Sequence, residues 1–304
     1  MALIKTIDEL RKYVKINKSK DFETYEMFIQ DAQEKYIEPY FGSTLLETLE
    51  TKANDELRLQ ICRALGPFSL ALATDEFSIL FGETGHTVAR SEKVAPASDA
   101  KIEKATQSLF ERGWSNLDRA ISIVRQKAST YPEWTETEFS KKLSSHFFSS
   151  AREFQDNGMV NINYSSLTFY YLRLLILRIE KSETLMFVPA ETRKIYLEDP
   201  TQIPATVLST MQAYTGSRVA AIHSSKLTRE QRGKPRNITE YRPLVRPLYE
   251  NEEETLNYFE QQADFWKGAM YDALEAENII ESGSRSVKWN EQDKKVFVAN
   301  AQRL

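Results

Sequence analysis

Three histidines and a single cysteine are the side chains of this chain best suited to metal binding or nucleophilic chemistry. They are His86, His146, His223 and Cys62. No second histidine or cysteine lies three or four residues from any of them, which is the spacing that places two metal ligands on one helix face. Cys62 lies inside the largely apolar segment 57–65, and a lone thiol cannot form an internal disulfide. We therefore expect a buried, unreactive cysteine and no metal site.

Motifs for phosphate binding and for hydrolysis are absent. The chain has no Gly-x-Gly-x-x-Gly, no Gly-Lys-Ser/Thr and no Gly-x-Ser-x-Gly, and Gly233-Lys234-Pro235 lacks the hydroxyl that a phosphate-binding loop needs. Acidic pairs such as Asp75-Glu76 are common among 44 acidic residues, and solvated helix faces explain them better than acid–base catalysis. The sequence therefore predicts no catalytic residue and no cofactor, and we expect that the protein is not an enzyme.

The most distinctive local charge is a basic segment between residues 226 and 246. Its cations are Lys226, Arg229, Arg232, Lys234, Arg236, Arg242 and Arg246. Glu230 and Glu240 are the only acids among them, so this basic segment carries a net charge of +5. Turn-forming residues predict a mobile loop, which suits docking on an acidic partner surface or on DNA phosphates. The alternative is a solvated loop that balances the neighbouring acids at 250–254.

The elements that would position these residues are helices. Only 10 glycines and 10 prolines occur, too few for the turns of a many-stranded β fold, while 16 phenylalanines and 14 tyrosines supply packed cores. Apolar periodicity and capping signals predict helices over 6–14, 20–37, 43–52, 54–80 and 99–128, and then over 150–157, 166–187, 190–197, 203–223 and 250–277. Short extended segments are expected near 84–94 and 236–248. The predicted fold class is mainly α.

The second half of the chain resembles the first, which predicts a tandem duplication. Capping boxes begin both halves, Thr6 with Glu9 and Ser150 with Glu153, 144 residues apart. Further blocks recur in the same order at offsets of 146 to 150: Val14–Asn17 with Val160–Asn163, Phe22 with Phe169, Pro39 with Pro189, Gly66 with Gly216, and Phe110 with Phe259. Because a glycine inside a helix is unfavourable, Gly66 and Gly216 indicate a close backbone approach or a kink. We predict a first helical unit at 1–148 and a second, diverged copy at 149–304.

Charge and hydropathy exclude two classes of partner at the level of the whole chain. The net charge is −4, which gives no general attraction to nucleic acid or to anionic membranes. The most apolar stretch, residues 57–81, is interrupted by Arg63, Asp75 and Glu76 and falls short of a membrane span. The acids at 8 and 9 come too early for the apolar core of a signal peptide. We expect a protein that is made in the cytoplasm and has no membrane contact.

Residues 6–42 resemble the head–tail connector (adaptor) proteins of tailed bacteriophages. The resemblance lies in Ile7–Leu10, in the corner Val14-Lys-Ile16-Asn17, and in a helix that ends in Tyr36-Ile37 and is followed by Gly42. The whole chain is also similar to a group of proteins of about this length from Bacteroidetes phages and prophages. The second copy keeps the corner at Val160–Asn163 but has Ala190-Glu-Thr in place of the closing glycine.

The resemblance implies a structural protein of the virion neck. Such a protein assembles with itself as a ring and joins the phage portal protein to a downstream neck or tail protein. The basic segment and the helix ends would then lie at these contacts. Two alternatives come from other classes: a helical enzyme whose site is assembled from scattered residues, and an accessory protein that binds nucleic acid through the basic segment.

Overall fold

A computed structural model describes residues 2–16, 21–77, 80–82, 85–87, 98–230, 244–246 and 248–281. Over these residues the chain forms thirteen α-helices and two three-residue strands. The predicted fold class, mainly α, is therefore confirmed. The strands, β1 (Leu80–Gly82) and β2 (Gly85–Thr87), pair antiparallel with Leu80 opposite Thr87.

Eight of the described helices precede residue 144. They are α1 (Ile7–Arg11), α2 (Glu23–Tyr36), α3 (Glu38–Phe41), α4 (Ser43–Glu50), α5 (Glu56–Phe77), α6 (Asp99–Gln126), α7 (Pro132–Thr135) and α8 (Glu138–Lys141). A 3₁₀ turn at Ala128–Thr130 precedes α7.

The other five described helices follow residue 150. They are α9 (Ala151–Gly158), α10 (Ser166–Ser182), α11 (Ala190–Glu198), α12 (Ala205–Glu230) and α13 (Glu252–Ala276). Two 3₁₀ turns, Thr184–Phe187 and Pro200–Gln202, flank α11.

Every helix predicted from the sequence is present, but three long ones have different ends. The helix predicted over 166–187 ends at Ser182, and a 3₁₀ turn follows it. The first helix predicted to reach residue 80 ends at Phe77, and β1 begins at Leu80. The helix predicted to end at residue 223 continues to Glu230, because no glycine or proline interrupts the chain until Gly233. Of the extended segment expected at 84–94, the structure forms a strand at 85–87. Of the other expected segment, residues 244–246 form no strand, and residues 236–243 lie outside the described residues.

Two compact units divide the chain. The first contains the described residues of 2–144 together with 162–171, and the second contains those of 145–161, 172–230 and 245–281. In the first, α5 packs along α6 and α2; in the second, α12 packs along α13 and α9. The tandem duplication remains a prediction, with its boundary at residues 148 and 149.

The core of the first unit is centred on an aromatic cluster. Phe68 of α5 stacks on Tyr36 with ring centroids 4.6 Å apart, and its edge meets Trp114 of α6 at 4.9 Å. Gly113 makes room for this ring, since a Cβ at that position would lie only 2.4 Å from Phe68 Cε1. Close approach of α5 to α6 therefore depends on a missing side chain as well as on apolar burial.

A polar network fixes α1 to α5 in the first unit. Thr6 caps α1 by accepting a hydrogen bond from the Glu9 backbone N–H at 3.2 Å, as the capping box predicts. The Glu9 carboxylate accepts from the Lys5 backbone N–H at 3.1 Å and from Arg58 of α5 at 2.7 Å. The same Arg58 Nη2 also donates to the Leu3 carbonyl at 2.7 Å. One guanidinium thus joins the start of the chain, the helix cap and the long helix.

The second unit contains a similar network whose donor is a glutamine from a different turn of the long helix, since Gln212 lies four residues before Gly216 and Arg58 lies eight residues before Gly66. Ser150 accepts from the Glu153 backbone N–H at 3.1 Å, and Glu153 accepts from the Ser149 backbone N–H at 2.7 Å. Gln212 of α12 donates through Nε2 to Glu153 at 2.8 Å and to the Phe147 carbonyl. Phe147 and Leu3 both lie three residues before their helix caps. This correspondence supports the predicted duplication.

Glycines let the long helix of each unit approach the end of its short first helix. A Cβ at Gly66 of α5 would lie 2.8 Å from Tyr13 Cβ. A Cβ at Gly216 of α12 would lie 2.0 Å from the carbonyl oxygen of Gly158, which is the last residue of α9. Both distances are too short for real atoms, so the close approach predicted from the sequence is present at both glycines.

We predict that Gly216→Ala destabilises the second unit severely. The added methyl group would meet backbone atoms that cannot turn aside as a side chain could, and we expect a loss of at least about 3 kcal/mol. Gly268→Ala in α13 is the matched control, because a Cβ there would have no atom within 4 Å. Helix propensity alone should then make Gly268→Ala more stable by about 1 kcal/mol. Urea unfolding measures both; equal effects of the two substitutions would contradict the packing of α12 on α9.

We also predict that Arg58→Ala costs about 3 kcal/mol of stability or more. The Arg58 and Glu9 side chains are only 7% and 18% exposed, and removal of one partner leaves a buried, unpaired charge. Lys127→Ala is the control, since Lys127 and its partner Glu56 are 48% and 61% exposed. Exposed pairs contribute about 1 kcal/mol or less. If thermal unfolding shows equal losses for the two variants, Arg58 does not hold α1 to α5.

Candidate functional site

The basic segment predicted from the sequence begins within a helix. Lys226 and Arg229 lie in the last turns of α12, so the prediction of a loop is wrong for residues 226–230. The physical reason is the uninterrupted helix-forming sequence before Gly233. Arg232, Lys234, Arg236 and Arg242 lie outside the described residues. Arg246 is exposed, and its backbone N–H donates to the Asn161 carbonyl at 3.1 Å.

A different basic site is present on the first unit. It is an open pocket of about 450 Å³, which we call the basic pocket. Its lining residues are Lys12, Tyr13, Leu59, Arg63, Arg112 and Asn116. Three cations and no carboxylate line this pocket, a composition that suits an anionic ligand.

Three elements position the lining of the basic pocket. Lys12 and Tyr13 follow directly after α1. Leu59 and Arg63 are four residues apart on α5, and Arg112 and Asn116 are four residues apart on α6. Residues at this spacing share one face of a helix. The packing of α5 on α6 then brings the two faces to the end of α1.

Hydrogen bonds order part of the lining without neutralising its charge. Arg112 donates to the Tyr13 carbonyl at 3.0 Å, and Arg63 donates to Gln60 Oε1 at 3.1 Å. The Gln60 amide in turn donates to Asn116 Oδ1 at 3.1 Å. Among the described residues, no carboxylate lies within 4.0 Å of Lys12, Arg63 or Arg112. The three positive charges therefore face solvent with only neutral partners.

The basic pocket was missed in the sequence because its cations are far apart along the chain. They lie at positions 12, 63 and 112, so no short stretch of the sequence contains more than one of them. The only local signal is a pair of lining residues four positions apart on each long helix: Leu59 with Arg63 on α5, and Arg112 with Asn116 on α6. That signal is common on solvated helices and does not by itself identify a site.

Cys62, the strongest nucleophile by residue type, is buried behind the same pocket. Its side chain has no exposed surface, and burial raises the pKa of its thiol to about 12. Burial and the nearby thiol also raise the pKa of Tyr13 to about 12. Both groups are therefore protonated at neutral pH, and the cysteine is buried as expected from its apolar sequence context.

Two described carboxylates, the buried Glu180 and the partly buried Asp118, accept hydrogen bonds from backbone N–H groups. Glu180 accepts from the Ser145 hydroxyl at 2.6 Å and from the backbone N–H groups of His146 and Phe147. Asp118 accepts from the backbone N–H of Leu167, near the start of α10, at 3.2 Å. Burial raises the pKa of both carboxyl groups despite these hydrogen bonds. Their oxygens act as fixed acceptors that position loops and a helix start.

The histidines lie on separate elements. His86 is in β2, His146 precedes α9, and His223 is in α12. Burial, together with Lys181 and Arg173, lowers the pKa of His146, which favours its neutral form. In the described part of the chain, no three His, Cys, Asp or Glu side chains cluster closely enough to hold a metal ion. None of the helices searched there is long and apolar enough to cross a bilayer.

Comparison with known proteins links only the first part of the chain to a family. Residues 8–143 match the model of a family of unknown function, DUF6712. The comparison with curated proteins found no match, and the comparison with solved structures found none either. The family match extends from the second residue of α1 through α8 and includes the whole lining of the basic pocket.

We predict that Cys62 resists alkylation in the folded protein. At about pH 8 a thiol of pKa about 12 has roughly a thousandfold less thiolate than a free cysteine, and burial blocks the reagent as well. Mass spectrometry after iodoacetamide treatment should show no adduct on the native chain and one adduct on the chain unfolded in urea. Rapid labelling of the native protein would show instead that Cys62 is accessible and ionised.

Proposed function

We propose that this chain is a structural protein of a bacteriophage virion, a head–tail connector that forms a ring in the neck between the portal protein and a tail component. The proposal starts from the resemblance of residues 6–42 to connector proteins. The observation that carries it is how the structure holds this segment. Among the described residues of the motif, Glu9, Tyr36, Ile37 and Gly42 each have a specific packing or backbone role.

The beginning of the motif is fixed by charge. The Glu9 carboxylate accepts from the Lys5 backbone N–H and from the Arg58 guanidinium, so α1 is tied to the buried helix α5. Burial lowers the pKa of Arg58, but the hydrogen bond to Glu9 and the nearby groups outweigh it and raise the pKa, so the guanidinium stays charged at physiological pH. A contact surface built on α1 therefore has a rigid support.

The end of the motif is fixed by packing and by backbone geometry. Tyr36 is 2% exposed and Ile37 has no exposed surface. Gly42 has φ of +74°, a conformation that disfavours other residues, and it joins α3 directly to α4. A Cβ there would also lie 3.0 Å from Thr137 of the turn before α8. The closing glycine of the motif thus permits a sharp turn between two short helices.

The second unit lacks this glycine turn. After α10, a 3₁₀ turn leads to Pro189, which precedes α11 in an extended conformation. The two units therefore share the capped first helix and its polar network but differ at the later corner. A connector with two unlike units would present different surfaces to the head side and the tail side, as a joint between two different partners requires.

We expect the purified chain to assemble into rings on the portal protein encoded in the same phage genome. Sedimentation of the mixture should show both proteins together, and electron microscopy should show a ring under the portal. A portal from an unrelated phage is the control for non-specific association. If the chain stays monomeric beside its own portal and never sediments with it, the connector role is wrong.

A further inference from the structure

We propose that the basic pocket receives the acidic first turn of α13 from a second copy of this chain. This inference rests on the proposed function, since it identifies the contact between neighbouring copies in the ring. The occupant is a set of carboxylates belonging to the protein itself.

The chemistry of the pocket favours carboxylates. Lys12, Arg63 and Arg112 place three positive charges around one opening, and each lacks an acidic partner among the described residues. Guanidinium groups bind carboxylates through paired hydrogen bonds, and an arriving anion relieves the repulsion among the cations. Leu59, 36% exposed, and the half-buried Tyr13 add an apolar wall for the methylene groups of an acidic side chain. A volume of about 450 Å³ admits more than one such side chain.

The densest run of acids in the chain has the matching charge. Glu250, Glu252, Glu253 and Glu254 give four negative charges in five residues at the start of α13. Asn251 caps this helix by accepting from the Glu253 backbone N–H at 2.9 Å, which gives the acidic turn a fixed geometry. Glu250, Glu253 and Glu254 are exposed, and the described ion pairs include none of them.

A second copy is favoured as the source because both surfaces belong to one chain. The pocket lies on the first compact unit and the acidic turn on the second. Two different, complementary patches on the same molecule give a head-to-tail contact, in which each copy uses its pocket for one neighbour and its acidic turn for the other. Contacts of this kind generate rings when the rotation between copies closes. A contact between identical patches would instead stop at a dimer.

Charge reversal tests this contact. One variant carries Lys12→Glu with Arg63→Glu, and the other carries Glu253→Lys with Glu254→Lys. We expect each to weaken self-association by at least about tenfold, measured by analytical ultracentrifugation alone and with the portal present. The two variants mixed in equal amounts, or combined in one chain, should associate again because the charges are complementary once more. Lys101→Glu with Lys104→Glu, on the exposed start of α6, is the control for the pocket variant. It makes the same change in net charge as that variant and should leave self-association unchanged.

The outcomes separate this inference from the connector role. If the wild-type chain forms rings and the pocket variant assembles as well as the control, the pocket is not the contact and only this inference is wrong. If the pocket variant fails but the acidic variant assembles normally, the pocket binds another anion, and the inference is wrong again. If reversal changes the unfolding temperature but not association, the two surfaces pair within one chain, which also overturns it. Absence of any wild-type assembly, alone or on the portal, overturns both proposals.

Discussion

The structure depends most on a carboxylate at the third position of a short helix. Glu9 and Glu153 each close the cap of that helix with one oxygen and accept from the long helix of the unit with the other. A short helix is marginal in isolation, so it needs tertiary contacts to persist. Here the contact is polar and directional, and it fixes the angle at which the long helix passes. The same long helices approach the short first helix or its end closely at Gly66 and Gly216.

Much of the fold could be predicted from the sequence because it rests on local signals. The capping boxes at Thr6 and Ser150 predicted the starts of α1 and α9, and apolar periodicity predicted the long helices. The misplaced ends have a common cause. The fading apolar pattern predicts that α12 ends at residue 223. The helix continues through polar residues to Glu230 because no glycine or proline lies between these two positions. Periodicity reports which face is buried and says little about where an exposed helix stops.

The candidate site could not be predicted because it is a product of packing. Lys12, Arg63 and Arg112 become neighbours only when the end of α1 meets α5 and α6. No short stretch of the sequence contains two of these three cations. The basic segment, in contrast, was found because its charges are adjacent along the chain, which is a property of sequence and carries no information about a shared surface. In this protein, a high density of charge along the sequence therefore does not show where charges cluster in the folded structure.

The net charge of −4 hides this separation of charge. A whole-chain total near neutrality excludes strong general attraction to nucleic acid, but it permits opposite patches on different elements. In the proposed contact, opposite patches attract each other between copies, and salt screens this attraction between exposed charges. Such a chain would assemble where a template raises its local concentration. The proposed connector ring would use that behaviour, because its copies would meet at a high local concentration on the portal protein.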